Sequence, residues 1–236
     1  MDTRIDDTIF DLENIEFYES YLSTLISRVT NATMELESDL GNPVTSKNAV
    51  RFKDNMLAFS NLINKSFSNE ELSEELIIDT ANQINASAWY VSNGYRKIGA
   101  PCIDGSDVPI SKPEDIKHDM EVLIENYNTV WSELDPYERE ALFHIGFIRI
   151  HPFEDGNGRT GRLMLNFNLM RHGLCPVILT KELEEFYHEF IREFDEFSMA
   201  RLFKQQSLQE KVIIIPKKNS QKGVFQSFTL FRGKYG

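Results

Sequence analysis

The chain has 236 residues and a formal net charge of −12, with 41% of its residues hydrophobic and 26% charged. These proportions are those of a globular protein with one main core, and no apolar run reaches the roughly 18 residues of a membrane helix, so we expect no membrane contact. The acidic balance also argues against nucleic acid as a partner, because phosphate backbones are bound by clustered Lys and Arg.

The start of the chain and its two cysteines predict the compartment. The segment MDTRIDDTIF is acidic and lacks the cationic start and apolar block of a secretory signal, so we expect a cytoplasmic protein. Cys102 and Cys175 are too few for a disulfide framework, and we expect two buried, reduced thiols.

Apolar residues at helical spacing predict a mainly α-helical chain. In chain order, the predicted helices cover 12–38, 46–64, 69–92, a segment from Ser111 onward, a segment from Asp135 to His151, a segment from Gly158 to Gly173, and 181–205. Ser111-Lys-Pro-Glu114 and Asp135-Pro-Tyr-Glu138 each place a capping side chain before a proline and a glutamate three residues on, which is typical of a helix start.

Two β-hairpins are also predicted. Asp104-Gly105 is a turn signal between short extended stretches at 98–103 and 108–110, which together read as a small hairpin. A second hairpin, formed by 212–215 and 224–231, is predicted near the C-terminus. From Lys211 onward the chain carries basic side chains and no acidic ones. This tail either contacts an acidic partner or is simply solvated.

The stretch HPFEDGNGRTGR, residues 151–162, combines the side chains needed to handle a polyphosphate. Pro152 disfavours helical geometry at His151, so the motif is predicted to be a loop between two helices. The second helix starts near Gly158, and its free N–H groups and dipole favour an anion in the loop, where Gly156 and Gly158 allow close approach.

The polar side chains of this stretch have distinct chemical uses. His151 is a histidine, and the usual pKa of a histidine side chain suits proton abstraction near neutral pH. Asp155 is an oxygen ligand of the type that holds Mg²⁺ together with substrate phosphates. Arg159 and Arg162 are three residues apart, so both can reach phosphates beyond the first. Each feature alone has a structural explanation, but the combination predicts a phosphate site.

Residues 151–162 match the signature His-Pro-Phe-x-Asp/Glu-Gly-Asn-Gly-Arg-x-x-Arg, and the chain here resembles the Fic domain family. GYRKIGAPCIDGSDVP resembles the flap hairpin of that family, and LMRHGLCPVIL resembles the segment after its motif. The resemblance extends over about residues 15–205. It implies a mainly α-helical bundle with a small β-hairpin flap. We accordingly divide the chain into N-terminal helices over 1–45, a Fic core over 46–206 and a basic extension over 207–236.

The resemblance implies a protein adenylyltransferase that uses Mg²⁺ and transfers AMP from ATP to a Ser, Thr or Tyr hydroxyl of a target protein. His151 would deprotonate the hydroxyl, Asp155 would hold Mg²⁺, and Phe153 would anchor the loop. The implied phosphate contacts are the anion hole Gly156, Asn157 and Gly158, followed by Arg159 and Arg162. The implied target contacts in the flap are Ile98, Cys102 and Ile103, through strand addition.

Two further features of the family have counterparts here. The Tyr-Tyr pair that contacts the adenosine is Phe186-Tyr187 in this chain, and a later Asn is replaced by Phe194. The inhibitory pattern Ser/Thr-x-x-x-Glu occurs as Thr33 and Glu37, upstream of the flap. This resemblance implies a Glu37–Arg162 pair that blocks the γ-phosphate; the alternative is a solvated helix glutamate.

Other functions stay open at this point. The same fold could remove AMP or transfer another phosphate-containing group, although the intact Gly-Asn-Gly-Arg run favours AMP transfer. A non-catalytic helical interaction module is the alternative from another class. Self-modification and homo-oligomerisation are also open.

Overall fold

The computed structural model describes residues 19–37, 46–68, 70–99, 103 and 107–213. Its helices are α1 Glu19–Leu36, α2 Ser46–Phe67, α3 Glu74–Ile84, α4 Ile116–Asn128, α5 Pro136–Ile150, α6 Asn157–Arg171, α7 Glu184–Glu193 and α8, residues 196–213. A short 3-10 helix, Lys181–Leu183, precedes α7. The predicted mainly helical fold is confirmed.

Helix α6 lies at the centre of the fold. Thirteen of its fifteen residues are buried, because α1, α2, α3 and α5 all pack against it. Two of its buried amides bond to neighbouring segments: Asn166 exchanges two hydrogen bonds with the Val177 backbone, and Asn168 Nδ2 donates to Glu140 at 3.0 Å. These bonds offset the cost of placing polar side chains in the core, and they fix the segment that follows α6.

The ends of α5 and α6, the two helices that flank the 151–162 loop, agree with the sequence prediction. The Asp135 side chain accepts a hydrogen bond from Tyr137 N at 2.9 Å, with Pro136 as the first helical residue of α5. His151, at φ 54° and ψ 57°, ends that helix. Gly173, at φ 73°, follows the end of α6. The left-handed conformation at these positions stops the helical hydrogen-bond ladder.

Two predicted helices are shorter than expected. Helix α4 begins at Ile116, so its predicted start just after Ser111 was wrong. Ser111 therefore lies too far upstream to cap the helix, and its hydroxyl donates to the carboxylate of Asp119 in the first turn of α4 at 2.6 Å. Helix α3 covers only part of the predicted 69–92, because Ser73 caps its start and it ends at Asn85.

The predicted helix over 181–205 is interrupted. Phe194 takes φ 55° and ends α7, and α8 begins two residues later. Helix α8 then continues through residue 213. The strand predicted for 212–215 was therefore wrong at residues 212 and 213, and the rest of the predicted C-terminal hairpin lies outside the described residues.

The predicted flap hairpin is not confirmed. Ile103 N donates to Val108 O at 3.0 Å, which is a hairpin-like contact. Nevertheless, no strand is present among residues 98–99, 103 and 107–110, the part of the flap that is described. Asp104-Gly105 and Cys102 lie outside it. Cys175 is buried and is not in a disulfide, as predicted.

Helix α1 is attached to the far end of the chain. Tyr21, Leu25 and Val29 are buried in the same core cluster as α2 and α6. Arg28 of α1 makes two hydrogen bonds to the Glu210 carboxylate in α8, at 2.8 and 2.6 Å. The proposed division into three parts stays a prediction. Within the described residues, no helix is long and apolar enough to cross a membrane.

Candidate active site

The loop between α5 and α6 is closed by one amide side chain. Asn157 Oδ1 accepts from Phe153 N at 2.9 Å, and Asn157 Nδ2 donates to Phe153 O at 2.8 Å. The Phe153 ring is buried against Tyr95 and Phe147, which anchors the loop in the core. Gly156 takes φ 86°, a backbone conformation that is energetically unfavourable for residues that have a side chain. The first turn of α6 is thereby held facing the loop.

His151 stands at the entrance to this loop as a neutral base. Its Nδ1 lies 3.2 Å from Ile148 O, and because a carbonyl can only accept, Nδ1 carries the proton and Nε2 the lone pair. Burial lowers the pKa of His151 below its usual value, despite the opposing Ile148 hydrogen bond. The imidazole is therefore able to accept a proton at Nε2 near neutral pH.

Arg96 fixes the backbone around His151, and sequence reasoning missed it. Its buried guanidinium donates from Nε to His151 O at 2.7 Å, and also to the carbonyls of Ile98 and Ser111. Arg96 N donates to Pro152 O at 2.9 Å. Arg96 thus joins the flap, α5 and the segment before α4. Its place within GYRKIGAP is the only signal in the sequence that could have suggested it.

Two guanidinium groups hold the Asp155 carboxylate. Arg159 Nη2 lies 2.8 Å from Oδ1, and Arg51 Nη2 lies 2.6 Å from Oδ2. Burial alone would raise the pKa of Asp155, but the charges of Arg159 and Arg51 outweigh burial and lower it. Asn85 also donates to Asp155 O at 2.9 Å. Arg51 belongs to α2, 104 residues away in sequence, and no motif marks it.

Arg159 and Arg162 bring unused donors to the first turns of α6. Arg159 is only 1% exposed, and its Nε and Nη1 have no hydrogen-bond partner among the described residues; the same is true of Arg162 Nε. Buried donors of this kind normally have an acceptor. Burial would lower the pKa of Arg162, but Glu37 and Tyr187 raise it, so the guanidinium stays charged. Both arginines are therefore suited to bind an anion.

Glu37 occupies the space next to these donors. Its Oε1 accepts from Arg162 Nη2 at 2.5 Å, and its Oε2 lies 3.9 Å from Arg159 Nε. A Cβ atom added at Gly158 would lie 2.7 Å from Glu37 Oε1, so the carboxylate rests against the backbone of the first turn of α6. The predicted contact between Glu37 and Arg162 is present. Thr33 takes part through its carbonyl, 3.3 Å from Arg162 Nη2.

Tyr187 lies behind Arg162, in the interior. It is 2% exposed, and its hydroxyl is 2.9 Å from His144 Nε2, while His144 Nδ1 is 3.2 Å from Gly161 O. Burial, aided by the nearby charge of Arg162, lowers the pKa of His144 to about 3. The neutral ring donates from Nδ1 to the Gly161 carbonyl, so Nε2 accepts a hydrogen bond from the Tyr187 hydroxyl. The lone pairs of that hydroxyl can then accept a hydrogen bond from Arg162.

The other predicted contacts are at the surface. Phe186 and Phe194 are exposed, and Arg149 lies over the Phe194 ring at 5.5 Å. Ile98 is 76% exposed, whereas Ile103 is partly buried and packs against the core. The structure therefore brings together the residues predicted to bind phosphate and to act as a base, and leaves Ile98 of the flap exposed at the edge.

A sequence model of the Fic/DOC family matches residues 71–169. The chain belongs to the Fic/DOC family. It is 32% identical over 149 residues to protein adenylyltransferase fic-1 of Caenorhabditis elegans, a match that covers 63% of this chain and 29% of that relative. It is 32% identical over 176 residues to protein adenylyltransferase Fic of Nematostella vectensis, covering 72% and 40% of the two chains. The chain thus spans less than half the length of these curated relatives.

The fold agrees with a solved Fic structure. A Fic domain-containing signaling protein from Bacteroides thetaiotaomicron superimposes with a TM-score of 0.77, covering 89% of this chain and 93% of that chain at 19% identity. At this identity the likeness shows the fold. Part of the site lies outside the matched Fic region, because Glu37 directly follows α1, Arg51 lies on α2 and Tyr187 lies on α7.

Proposed function

We propose that the chain is a protein adenylyltransferase, which transfers AMP from ATP to a hydroxyl side chain of a target protein. The observation that carries this proposal is the set of buried N–H groups of Arg159 and Arg162 that make no hydrogen bond within the described residues, in the same motif as a neutral His151. The names of the two relatives support it. The arrangement suits phosphoryl chemistry, in which catalysis is mainly positioning and charge stabilisation.

The proposed step uses His151 as the base. The target hydroxyl oxygen attacks the α-phosphorus of ATP, and its proton passes to His151 Nε2. The bond from the α-phosphorus to the bridging oxygen breaks, and pyrophosphate leaves. The N–H groups of Gly156, Asn157 and Gly158 bind the phosphate oxygens in this proposal, and Arg159 and Arg162 bind the outer phosphates.

Asp155 is the proposed ligand for Mg²⁺. No group of three or more His, Cys, Asp or Glu side chains that could hold a metal alone occurs in the described part of the chain. A single carboxylate at a phosphate-binding loop nevertheless fits Mg²⁺, which commonly uses one or two carboxylates plus substrate phosphates. Mg²⁺ would therefore arrive with ATP, and it would neutralise phosphate charge during the transfer.

Glu37 is proposed to inhibit the transfer. Its carboxylate holds Arg162 and rests on Gly158, so it takes the donor and the space that the outer phosphates of ATP need. Tyr187 is proposed to position Arg162 from behind rather than to touch the adenosine, because it is almost fully buried. Release of Glu37 would make the arginines available to the nucleotide.

The flap is proposed to contact the target protein. Ile103 N already donates to Val108 O, so any strand addition would use other backbone groups of the segment from Ile98 onward. The exposed Ile98 side chain lies at this edge. Self-modification, homo-oligomerisation and a cytoplasmic location stay predictions.

The proposal is tested in the Glu37→Gly variant, so that inhibition cannot hide the activity. The variant is incubated with a cell lysate and with ATP labelled either at the α- or at the γ-phosphate, and labelled proteins are analysed by mass spectrometry. We expect the α-label and the mass of an adenylyl group on a hydroxyl side chain. Transfer of the γ-label would indicate a phosphotransferase, and no transfer of either label would contradict the proposal.

A further inference from the structure

Arg51 is the one cation on Asp155 that no motif explains. It lies on α2, and its Nη2 is 2.6 Å from Asp155 Oδ2 and 3.2 Å from the Tyr90 hydroxyl. Its position is therefore set by the fold, through the close packing of α2 against α6.

The two oxygens of Asp155 have different surroundings. Oδ1 is bound by Arg159, whose side chain is 1% exposed and which is linked by a second hydrogen bond to Asn85. Oδ2 is bound by Arg51, whose side chain is 17% exposed. Asp155 itself is 29% exposed. Oδ2 is consequently the oxygen whose partner can move into solvent, while Oδ1 is bound to a buried group.

A cation that binds Asp155 must therefore compete with Arg51. The guanidinium is positively charged and makes a short, charge-assisted hydrogen bond. Mg²⁺ needs a carboxylate oxygen at about 2.0–2.1 Å and strict octahedral geometry, which leaves no room for a guanidinium on the same lone pairs. The Tyr90 hydroxyl, already within reach of Arg51, offers the displaced guanidinium a second partner.

We propose that Arg51 is an internal counter-cation, which occupies the Asp155 oxygen needed by the metal and must leave it when Mg²⁺ and ATP bind. This inference rests on the proposed function, since it concerns the same site. Its consequence is a measurable one: Arg51 raises the Mg²⁺ concentration that the site requires.

The test is a titration of nucleotide binding. Isothermal titration calorimetry measures the affinity of the Glu37→Gly protein for a non-hydrolysable ATP analogue at a series of Mg²⁺ concentrations and in EDTA. Arg51→Gln is compared with its parent, and Arg192→Gln serves as the control, because Arg192 is an exposed arginine paired with Glu193. Both substitutions remove one positive charge, and circular dichroism and thermal unfolding check that each variant is folded.

Arg51→Gln should lower, by about three- to tenfold, the Mg²⁺ concentration at which the affinity for the ATP analogue reaches half of its maximum. This is the range expected for a partly buried ion pair. Arg51→Lys, which keeps the charge, should lower it less, and Arg192→Gln should not change it. In EDTA, Arg51→Gln should bind the analogue no more tightly than its parent.

Three results would overturn the inference. An unchanged Mg²⁺ requirement would mean that Arg51 does not compete, and a raised one would mean that Arg51 assists nucleotide binding. Tighter binding in EDTA would mean that the substitution merely opens the site. Failure of the parent to bind the analogue at any Mg²⁺ concentration is a separate result, and it would remove the proposed function as well.

Discussion

The charge of the site is decided by individual side chains. Arg51, Arg159 and Arg162 oppose Asp155 and Glu37, so the five groups carry a net charge of about +1 within a chain of −12. Clefts of one sign raise the local concentration of ligands of the opposite sign. The loop and its neighbours thus supply the positive charge that the proposed substrate ATP needs.

The protonation of His151 predicts the pH dependence of transfer. Its pKa is lowered from the usual value of about 6.5, mainly by burial. Since the base must be neutral, the rate should increase with pH, pass its midpoint below 6.5 and level off near neutral pH. The rate of transfer from labelled ATP by the Glu37→Gly variant, measured at a series of pH values, checks this.

His151→Ala in the same background is the control for that profile. The rate should drop by about 100- to 10,000-fold, the usual contribution of a general base, while calorimetry should show unchanged ATP binding. A midpoint well above pH 6.5, or an active His151→Ala variant, would mean that a group other than His151 accepts the proton of the target hydroxyl.

Tyr187→Phe should show that the interior positions Arg162. The change removes the hydroxyl that hydrogen-bonds to His144 Nε2 and to the Arg162 guanidinium. The free energy of unfolding should therefore decrease by about 1–2 kcal/mol, and the affinity for ATP should also decrease. Urea unfolding and calorimetry measure the two effects.

Tyr137→Phe is the matched control for this variant. It removes another buried hydroxyl, which donates to Ser207 at 2.9 Å in contact with α8 rather than with the phosphate site. This variant should lose similar stability but keep its ATP affinity. Equal loss of affinity in both variants would mean that Tyr187 stabilises the fold without positioning Arg162.

Elements with local signals could be predicted from the sequence, and contacts between distant elements could not. The start of α5 at Asp135-Pro136 and its end at His151 follow from capping and proline chemistry. Ser111 was wrongly assigned as a cap because α4 begins only at Ile116, and the Ser111 hydroxyl donates instead to Asp119 of that helix, a contact formed in the folded protein. Arg51 was missed for a similar reason, because helical spacing does not reveal which side chains another helix approaches.

The hydrogen bonds between α1 and α8 should contribute to the stability of the protein. Glu210→Gln weakens both hydrogen bonds from Arg28 and alters that from the Tyr21 hydroxyl, which lies 2.7 Å from Oε1. Because Glu210 is buried and Arg28 is only partly so, we expect the free energy of unfolding to decrease by about 1–3 kcal/mol in urea.

The control is Glu70→Gln, which breaks a pair with Lys65 in which neither side chain is buried, and it should cost at most about 1 kcal/mol. A partial rise in AMP transfer is also expected in Glu210→Gln, since α1 leads directly to Glu37. Equal stability of the Glu210 and Glu70 variants would show that this contact does not fix α1.

At the scale of the whole molecule, the proposed inhibitory residue Glu37 and the candidate active site belong to the same chain. Glu37→Gly should increase AMP transfer, including any self-modification, because Arg162 and the space beside Gly158 become free. Adding Arg162→Ala should abolish transfer. The incorporation of label from ATP, by wild type and both variants, measures these effects.

Glu35→Gly distinguishes release of the carboxylate from general loosening of α1. Glu35 is an exposed acidic residue on α1, two positions before Glu37, and glycine there weakens the helix by about 1 kcal/mol. Activation by Glu35→Gly equal to that by Glu37→Gly would refute specific inhibition by Glu37.

The long sequence separation of these contacts bears on how the protein is made. Glu37 precedes Arg162 by 125 residues, whereas Arg28 and Glu210 are 182 residues apart. Synthesis proceeds from the N-terminus, and folding can begin before it is complete. On the ribosome, Glu37 is therefore already present when the arginines of α6 emerge, but the residue that fastens α1 is added only later. A nascent chain can therefore bring the proposed inhibitory residue to the candidate site before that site is complete, and α1 is fastened only when α8 has been translated.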